Sequence, residues 1–276
     1  IYLDSKKAIP QAKVDELKQI VAPNILVPKE LITTSAKIPI GISMDWAANC
    51  VPICKLFTND YRQQESINND TIIALIEKLA KDIDYIHRHK CLIVDLNEMN
   101  ILVRETQYNT PLFIDTDSWK TKSFCAKAIT TAIQDVHTKG FNELSDYFSF
   151  GILAVQLLTG VHPYKGRHPK YGRYDLKSRM IDNVSIFDKN VSLPPTTRDF
   201  SCIPKEYKEW FTRIFQRGER LPPPTIIGYV SVVVTKQQSV GGTNNFLIEF
   251  YKDYEYVPAE HIRDGELIVM VNNKEL

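Results

Sequence analysis

The chain has 276 residues, 43% of them hydrophobic, with 34 Lys plus Arg against 33 Asp plus Glu and a formal net charge of +1. That length can bury a sizeable core in one large domain or two, and charge this balanced argues neither for nor against a nucleic-acid partner; no nucleic-acid partner is expected. No apolar run approaches the roughly 20 residues that cross a bilayer and the start is not a signal peptide, so no membrane partner is expected and a cytoplasmic setting is.

Ile1, Tyr2 and Leu3 read as the end of a strand, and the first residue being Ile rather than Met reads as a fragment or a processed piece. Val14, Leu17, Ile20 and Val21 recur at helical spacing over residues 11–21. Residues 25–27, 31–34 and 38–44 read as short strands broken by Pro28 and Pro39. The clearest helix is predicted over 71–89, with Asp70 as its N-cap. Its stripe of Ile72, Ile73, Leu75, Ile76, Leu79, Ile83 and Ile86 reads as core rather than a cofactor box.

Two short apolar segments follow, 93–103 and 112–117, each carrying acidic or amide side chains at its end. Pairing them as neighbouring strands, through a polar turn at 105–111, would bring Asp95, Asn100, Asp115 and Asp117 toward one small volume. A carboxylate that takes a hydroxyl proton, with an amide and a carboxylate that hold a hard cation, suits phosphoryl transfer from a magnesium nucleotide. The opposite reading of the same side chains is a structural turn with solvated carboxylates.

Residues 146–159 predict a helix apolar around most of its circumference, hence central, with Asp146 placed to hold backbone amides near its start. The basic stretch 165–175 reads as a solvated loop, with an anion- or substrate-facing loop as the alternative. Trp210, Phe211, Ile214 and Phe215 predict a short amphipathic helix ending near Arg217 to Arg220. Pro222, Pro223 and Pro224 make a stiff break. Beyond it, strands are predicted at 229–235, 246–251 and 267–271, a small β unit that is marginal on its own. The five Cys (50, 54, 91, 125 and 202) lack any matched metal-ligand spacing and read as reduced thiols rather than a zinc site.

Three of these segments, in order, resemble the protein kinase family. The run Asp95-Leu96-Asn97-Glu98-Met99-Asn100 is similar to its catalytic loop, H-R-D-L-x-x-x-N, and Asp115-Thr116-Asp117 stands where that family has D-F-G. The stretch from Ser145-Asp146-Tyr147-Phe148-Ser149-Phe150-Gly151 through Leu157-Leu158-Thr159-Gly160 looks like its S-D-x-W-S-x-G helix and the run after it. The resemblance covers roughly residues 12–224. It implies an α+β, two-lobed kinase-like fold: a partial small lobe over 1–47, a mostly helical large lobe over 48–224, and a β-rich appendage over 225–276.

For the site, the resemblance implies Asp95 as the catalytic residue and Asn100 and Asp115 as magnesium ligands, with Asp117 as an additional cation ligand. It implies ATP held at a hinge of Met44, Asp45 and Ala47, where an ordinary strand end is the alternative, and Asn97 beside the nucleotide. The matching Asp of the helix, Asp146, braces the catalytic loop in that family and is structural here. Arg220 resembles a late Arg that pairs with an acid closing the activation segment; no A-P-E motif is present, and Asp135 is the nearest candidate.

The departures are specific. Ile93-Val94 replaces His-Arg, which removes the Arg that reads a phosphorylated loop, and Asn97 replaces the usual Lys. Asp117 stands in place of Gly. Neither a G-x-G-x-x-G loop nor a V-A-I-K strand is found; Glu16 is the candidate acid for such a Lys, while Lys6 and Lys7 lie too near the first helix to serve. The reading is an atypical Ser/Thr protein kinase acting on a protein substrate. The alternatives are a pseudokinase that binds a protein partner and a small-molecule kinase of the aminoglycoside or choline type.

Overall fold

A computed structural model describes residues 2, 8–126, 128–172 and 175–224, with the backbone alone at 259–263, 266–271 and 274–275. The strands expected at 229–235 and 246–251, the ends of the strand expected at 1–3, and Lys6 and Lys7 lie outside these residues. The chain divides into two compact units, residues 1–226 and 227–276.

In the first unit, helix α1 spans Gln11–Leu17, shorter than expected: Ile20 is still buried, but Val21 is 81% exposed and has left the apolar face. Strands β1 (Glu30–Thr33) and β2 (Pro39–Ser43) pair antiparallel, and the Tyr2 amide donates to the Ile40 carbonyl at 2.8 Å. Residues 25–27 form no strand beyond a single parallel bridge between Ile25 and Phe113. The chain then passes through residues 44–49 into β3 (Cys50–Pro52), α2 (Asn59–Gln64) and α3 (Asn69–Arg88).

The N-cap of α3 is Asn68 rather than Asp70: its Oδ1 accepts the Thr71 amide at 2.9 Å. Asp70 lies within the first turn, where the positive helix end favours a carboxylate. The predicted stripe is core, with Ile72, Leu75, Ile76, Leu79, Ile83 and Ile86 fully buried, each worth about 1.5–3 kcal/mol of apolar burial.

Strands β4 (Ile101–Arg104) and β5 (Gln107–Phe113) pair antiparallel, and the sheet order is β3-β4-β5. The turn between them is only Glu105 and Thr106; Gln107 to Pro111, expected in the turn, are strand. Pro111 is tolerated because β5 is the outer strand, where a missing N–H breaks no ladder. Asn24 clips this sheet to α3, donating to Asp82 Oδ2 at 2.7 Å and to the Pro111 carbonyl at 3.2 Å, while its own carbonyl accepts the Phe113 amide at 2.9 Å.

Helix α4 (Glu143–Thr159) is the buried centre of the unit, and starts three residues before the expected position. The reason is a capping box: Asn142 Oδ1 accepts the Ser145 amide and Ser145 Oγ accepts the Asn142 amide, both at 3.0 Å. Two guanidiniums close its other end. Arg62 donates to the Leu157 carbonyl, and Arg198 to the Leu158 carbonyl at 2.7 Å. Burial, then the neighbouring Arg198, brings the Arg62 guanidinium down to about 9.

Helices α5 (Leu176–Ile181) and α6 (Lys205–Phe215) complete the unit, and α6 lies flush on α4. A Cβ at Gly151 would meet the tips of the Ile214 and Phe215 side chains at 2.7 and 3.0 Å, so Gly lets the two helices approach without those side chains shifting. In the basic stretch, Lys170 and Tyr171 both bond Asp182, at 3.0 and 2.6 Å, and the described residues of the stretch lie mostly at the surface.

His162 links the segment before α4 to the core. Its Nε2 donates to the Ala132 carbonyl at 2.9 Å and its Nδ1 accepts the Tyr164 amide at 3.1 Å, so both ring nitrogens are satisfied only when neutral. Burial drives its pKa from 6.5 down to about 4. The unfolded chain therefore binds more protons between those values, and stability rises with pH across that window and is lost below it. We expect a contribution of up to about 3 kcal/mol to disappear between pH 6.5 and 4. Urea unfolding across that range checks it: His162→Gln should flatten the slope, and an unchanged slope would refute it.

In the second unit, β6 (Ala259–Arg263) pairs antiparallel with β7 (Glu266–Val271), which pairs with β8 (Lys274–Glu275). The expected strand at 267–271 is β7; β6 and β8 were not expected.

Candidate active site

The site is built outward from Asp146, in the first turn of α4 and wholly buried. Its carboxylate accepts the Ile93 amide at 2.8 Å, the Val94 amide at 2.9 Å and His87 Nε2 at 2.9 Å. Residues 93 and 94, expected as strand, are instead an irregular bend. Val94 has φ +64°, a left-handed conformation that a β-branched side chain adopts only under constraint. Strain of this kind costs about 1–3 kcal/mol, and charge-assisted bonds from one carboxylate to two successive amides offset it.

That bend aims Asp95. Its Oδ1 accepts the Thr130 amide at 2.8 Å, and its Oδ2 accepts Asn97 Nδ2 at 2.9 Å and the longer Asn100 Nδ2 contact at 3.4 Å. Asn97 Oδ1 accepts the Met99 amide at 2.8 Å, and Asn100 Nδ2 donates to the Asp95 carbonyl at 3.0 Å. The loop is thus closed on itself over six residues, Asp95 to Asn100. Spending the Asn100 amide nitrogen on Asp95 leaves its Oδ1 as the remaining acceptor.

Asp115 reaches the same region through the ladder. Ile101 is opposite Phe113, and the Ile114 amide donates to the Asn100 carbonyl at 3.1 Å, so the residue before Asp115 is bonded to Asn100. Asp115 is exposed, has φ +55° and opens the short 3-10 turn Thr116–Ser118. Asp117 is buried and turned elsewhere: its Oδ2 accepts the Tyr2 hydroxyl at 3.0 Å and its carbonyl accepts Lys13 Nζ at 2.9 Å. Among the described residues, no three His, Cys, Asp or Glu side chains gather as a complete metal cluster. An amide oxygen and one exposed carboxylate do fit magnesium, which takes oxygen donors and keeps much of its shell as water and phosphate.

Met44, Asp45 and Ala47 lie between β2 and β3, and the Asn49 carbonyl accepts the Glu105 amide at 2.9 Å beside the β4–β5 turn. The Asp45 carboxylate pairs with Lys29 at 2.5 Å at the surface. Glu16 accepts the Ser123 amide at 3.2 Å. Arg220 meets Asp135 in a two-pronged pair at 2.5 and 2.6 Å, over the face of Phe148. Burial raises the Asp135 carboxyl, but Arg220 and Thr138 outweigh it and hold the group below its usual range.

Sequence reasoning missed Thr130, His87, Tyr2 and Lys13 as members of this arrangement. For His87 and Lys13 a signal existed: each occupies a buried helical position where an apolar residue would ordinarily stand.

A mixed helix-and-sheet body with a braced Asp loop and a following Asp turn defines a kinase-like class, and the comparisons agree. The sequence model of the family described as protein tyrosine and serine/threonine kinase matches residues 11–181. The chain belongs to that family, whose fold is two-lobed.

Its relatives include ribosomal protein S6 kinase alpha-3 of Homo sapiens, 29% identical over 121 residues, which is 42% of this chain and 16% of that protein. Ribosomal protein S6 kinase alpha-2 of Homo sapiens is 30% identical over 122 residues, 42% of this chain and 16% of that protein. cGMP-dependent protein kinase isozyme 1 of Drosophila melanogaster is 24% identical over 174 residues, 61% of this chain and 20% of that protein. The matched part spans between 16% and 20% of the length of these relatives. Among the described residues, no helix is long and apolar enough to cross a membrane.

Proposed function

We propose that the chain transfers the γ-phosphoryl group of ATP to Ser or Thr hydroxyls of a protein, as an atypical member of its family. The observation that carries this reading is the Asp95 loop, closed by Asn97 and Asn100 and braced by Asp146. Asp95 takes the proton of the acceptor hydroxyl and orients that oxygen, a role worth about 10²–10⁴-fold in rate. Asn97 and the Thr130 amide hold the carboxylate in place. Asn100 and Asp115 would hold Mg²⁺, and the bound ion would neutralise charge on the phosphate oxygens. Asp117 supports the turn rather than the ion, and the backbone of Met44, Asp45 and Ala47 receives the adenine ring.

The match to a protein-kinase sequence model, together with the Asp135–Arg220 pair, favours a protein acceptor over a small molecule. The exposed Cys125, free like the other four cysteines, suits a reducing, cytoplasmic setting. A calorimetric titration of ATP, with and without Mg²⁺, tests the cation assignment. Mg²⁺ should tighten binding by at least about tenfold in the wild type and have little effect in Asp115→Ala. Equal Mg²⁺ dependence in both proteins would sink it.

A further inference from the structure

We propose that Lys13 is a positioning residue for the cation site, through which the placement of α1 sets the aim of the Asp115 carboxylate. The inference rests on the reading of Asn100 and Asp115 as Mg²⁺ ligands. Lys13 lies on the same face of α1 as Val14 and Leu17 and is 2% exposed. A lysine stem is long enough to bring its ammonium to water, so a buried lysine has a specific anchor. Here Nζ donates to the Asp117 carbonyl at 2.9 Å.

Among the described residues, three contacts from distant parts of the chain hold the Asp115–Asp117 turn. Thr116 Oγ1 donates to the Leu26 carbonyl at 2.7 Å, the Tyr2 hydroxyl donates to Asp117 Oδ2 at 3.0 Å, and Lys13 holds the Asp117 carbonyl. Of these ties, only Lys13 comes from α1, and only Lys13 brings a cation to a backbone oxygen. Asp115 itself sits at φ +55°, a left-handed conformation, so fixing the following peptides helps to set the direction of its carboxylate. A supporting contact of this kind behind a metal ligand typically changes metal affinity by about 10–100-fold.

The sign of the effect separates positioning from simple charge. An ammonium close to a divalent cation repels it, so removing a mere neighbour would tighten Mg²⁺. Removing a positioning group weakens it. The measurement is ATP affinity as a function of Mg²⁺, by calorimetry, on wild type, Lys13→Met and Lys13→Arg, with Mg²⁺-free ATP affinity as the reference.

Lys13→Met keeps the stem and should lose about tenfold or more of the Mg²⁺ enhancement while Mg²⁺-free binding stays within about twofold. Lys13→Arg, which keeps the cationic donor, should recover most of it. Lys13→Gln, neutral and shorter, gives the same comparison if Lys13→Met does not fold. Unchanged or tighter Mg²⁺ dependence in the neutral variants, against a Mg²⁺-dependent wild type, overturns the role of Lys13 alone. A wild type without Mg²⁺ dependence overturns both the proposed cation site and this inference.

Discussion

Replacing Asp95 with Asn is expected to lower the rate of phosphoryl transfer by about 10²–10⁴-fold, far more than it weakens MgATP binding or stability. The side chain is half-buried at the end of a closed loop; an Asn of the same shape can still accept the Thr130 amide at Oδ1, but its Nδ2 no longer accepts the Asn97 and Asn100 amide nitrogens, a loss of about 1 kcal/mol. What it cannot do is take a proton from an alcohol. The substitution therefore removes an interaction made as the reaction proceeds and should appear in kcat rather than in the affinity for nucleotide. Single-turnover transfer, with binding measured on the same preparation, checks this. A loss confined to KM would move Asp95 from chemistry to binding.

The largest effect on stability is expected at Asp146. Its buried carboxylate meets two amides and His87, so Asp146→Ala strands all three in a site closed to water. Breaking a buried charged network from one side costs about 3–5 kcal/mol. The strained backbone at Val94 loses its holding group at the same time. Denaturant unfolding of Asp146→Ala should show a loss of that order, with transfer activity falling beyond what the unfolded fraction explains. Asp146→Asn, which keeps one acceptor oxygen, should lie between it and the wild type. A loss below about 1 kcal/mol would mean that the bend is held by other contacts.

Helices α3 and α4 were legible because each carries a long local pattern: a 3.6-residue stripe in one and apolar residues on almost every side in the other. Their starts were misplaced because Asn68 and Asn142 compete as caps with acidic residues that follow closely. The β4–β5 pairing was legible, but the turn was drawn too long. Asn109, Thr110 and Pro111 carry turn chemistry, and tertiary placement at a sheet edge overrides it.

In the site, Asp95, Asn97 and Asn100 lie within one loop, so spacing alone brought them together. The Asp135–Arg220 pair spans 85 residues and came from the resemblance rather than from any local pattern. Thr130 on Asp95 and Lys13 on the Asp117 carbonyl are tertiary contacts to backbone groups, which no side-chain pattern announces. The expected convergence of Asp117 fails for the same reason: the alternation of a strand does not continue through a 3-10 turn, and its carboxylate is directed to Tyr2.

The most direct test of the account is transfer itself: radiolabelled γ-phosphate from MgATP followed onto a mixture of protein acceptors, with phosphoamino-acid analysis of the product. The account predicts acid-stable label on Ser and Thr that depends on Mg²⁺ and is nearly abolished by Asp95→Asn. MgATP that binds tightly yet transfers no label to any protein, with the wild type and Asp95→Asn indistinguishable, would contradict it and leave a nucleotide-binding pseudokinase in its place.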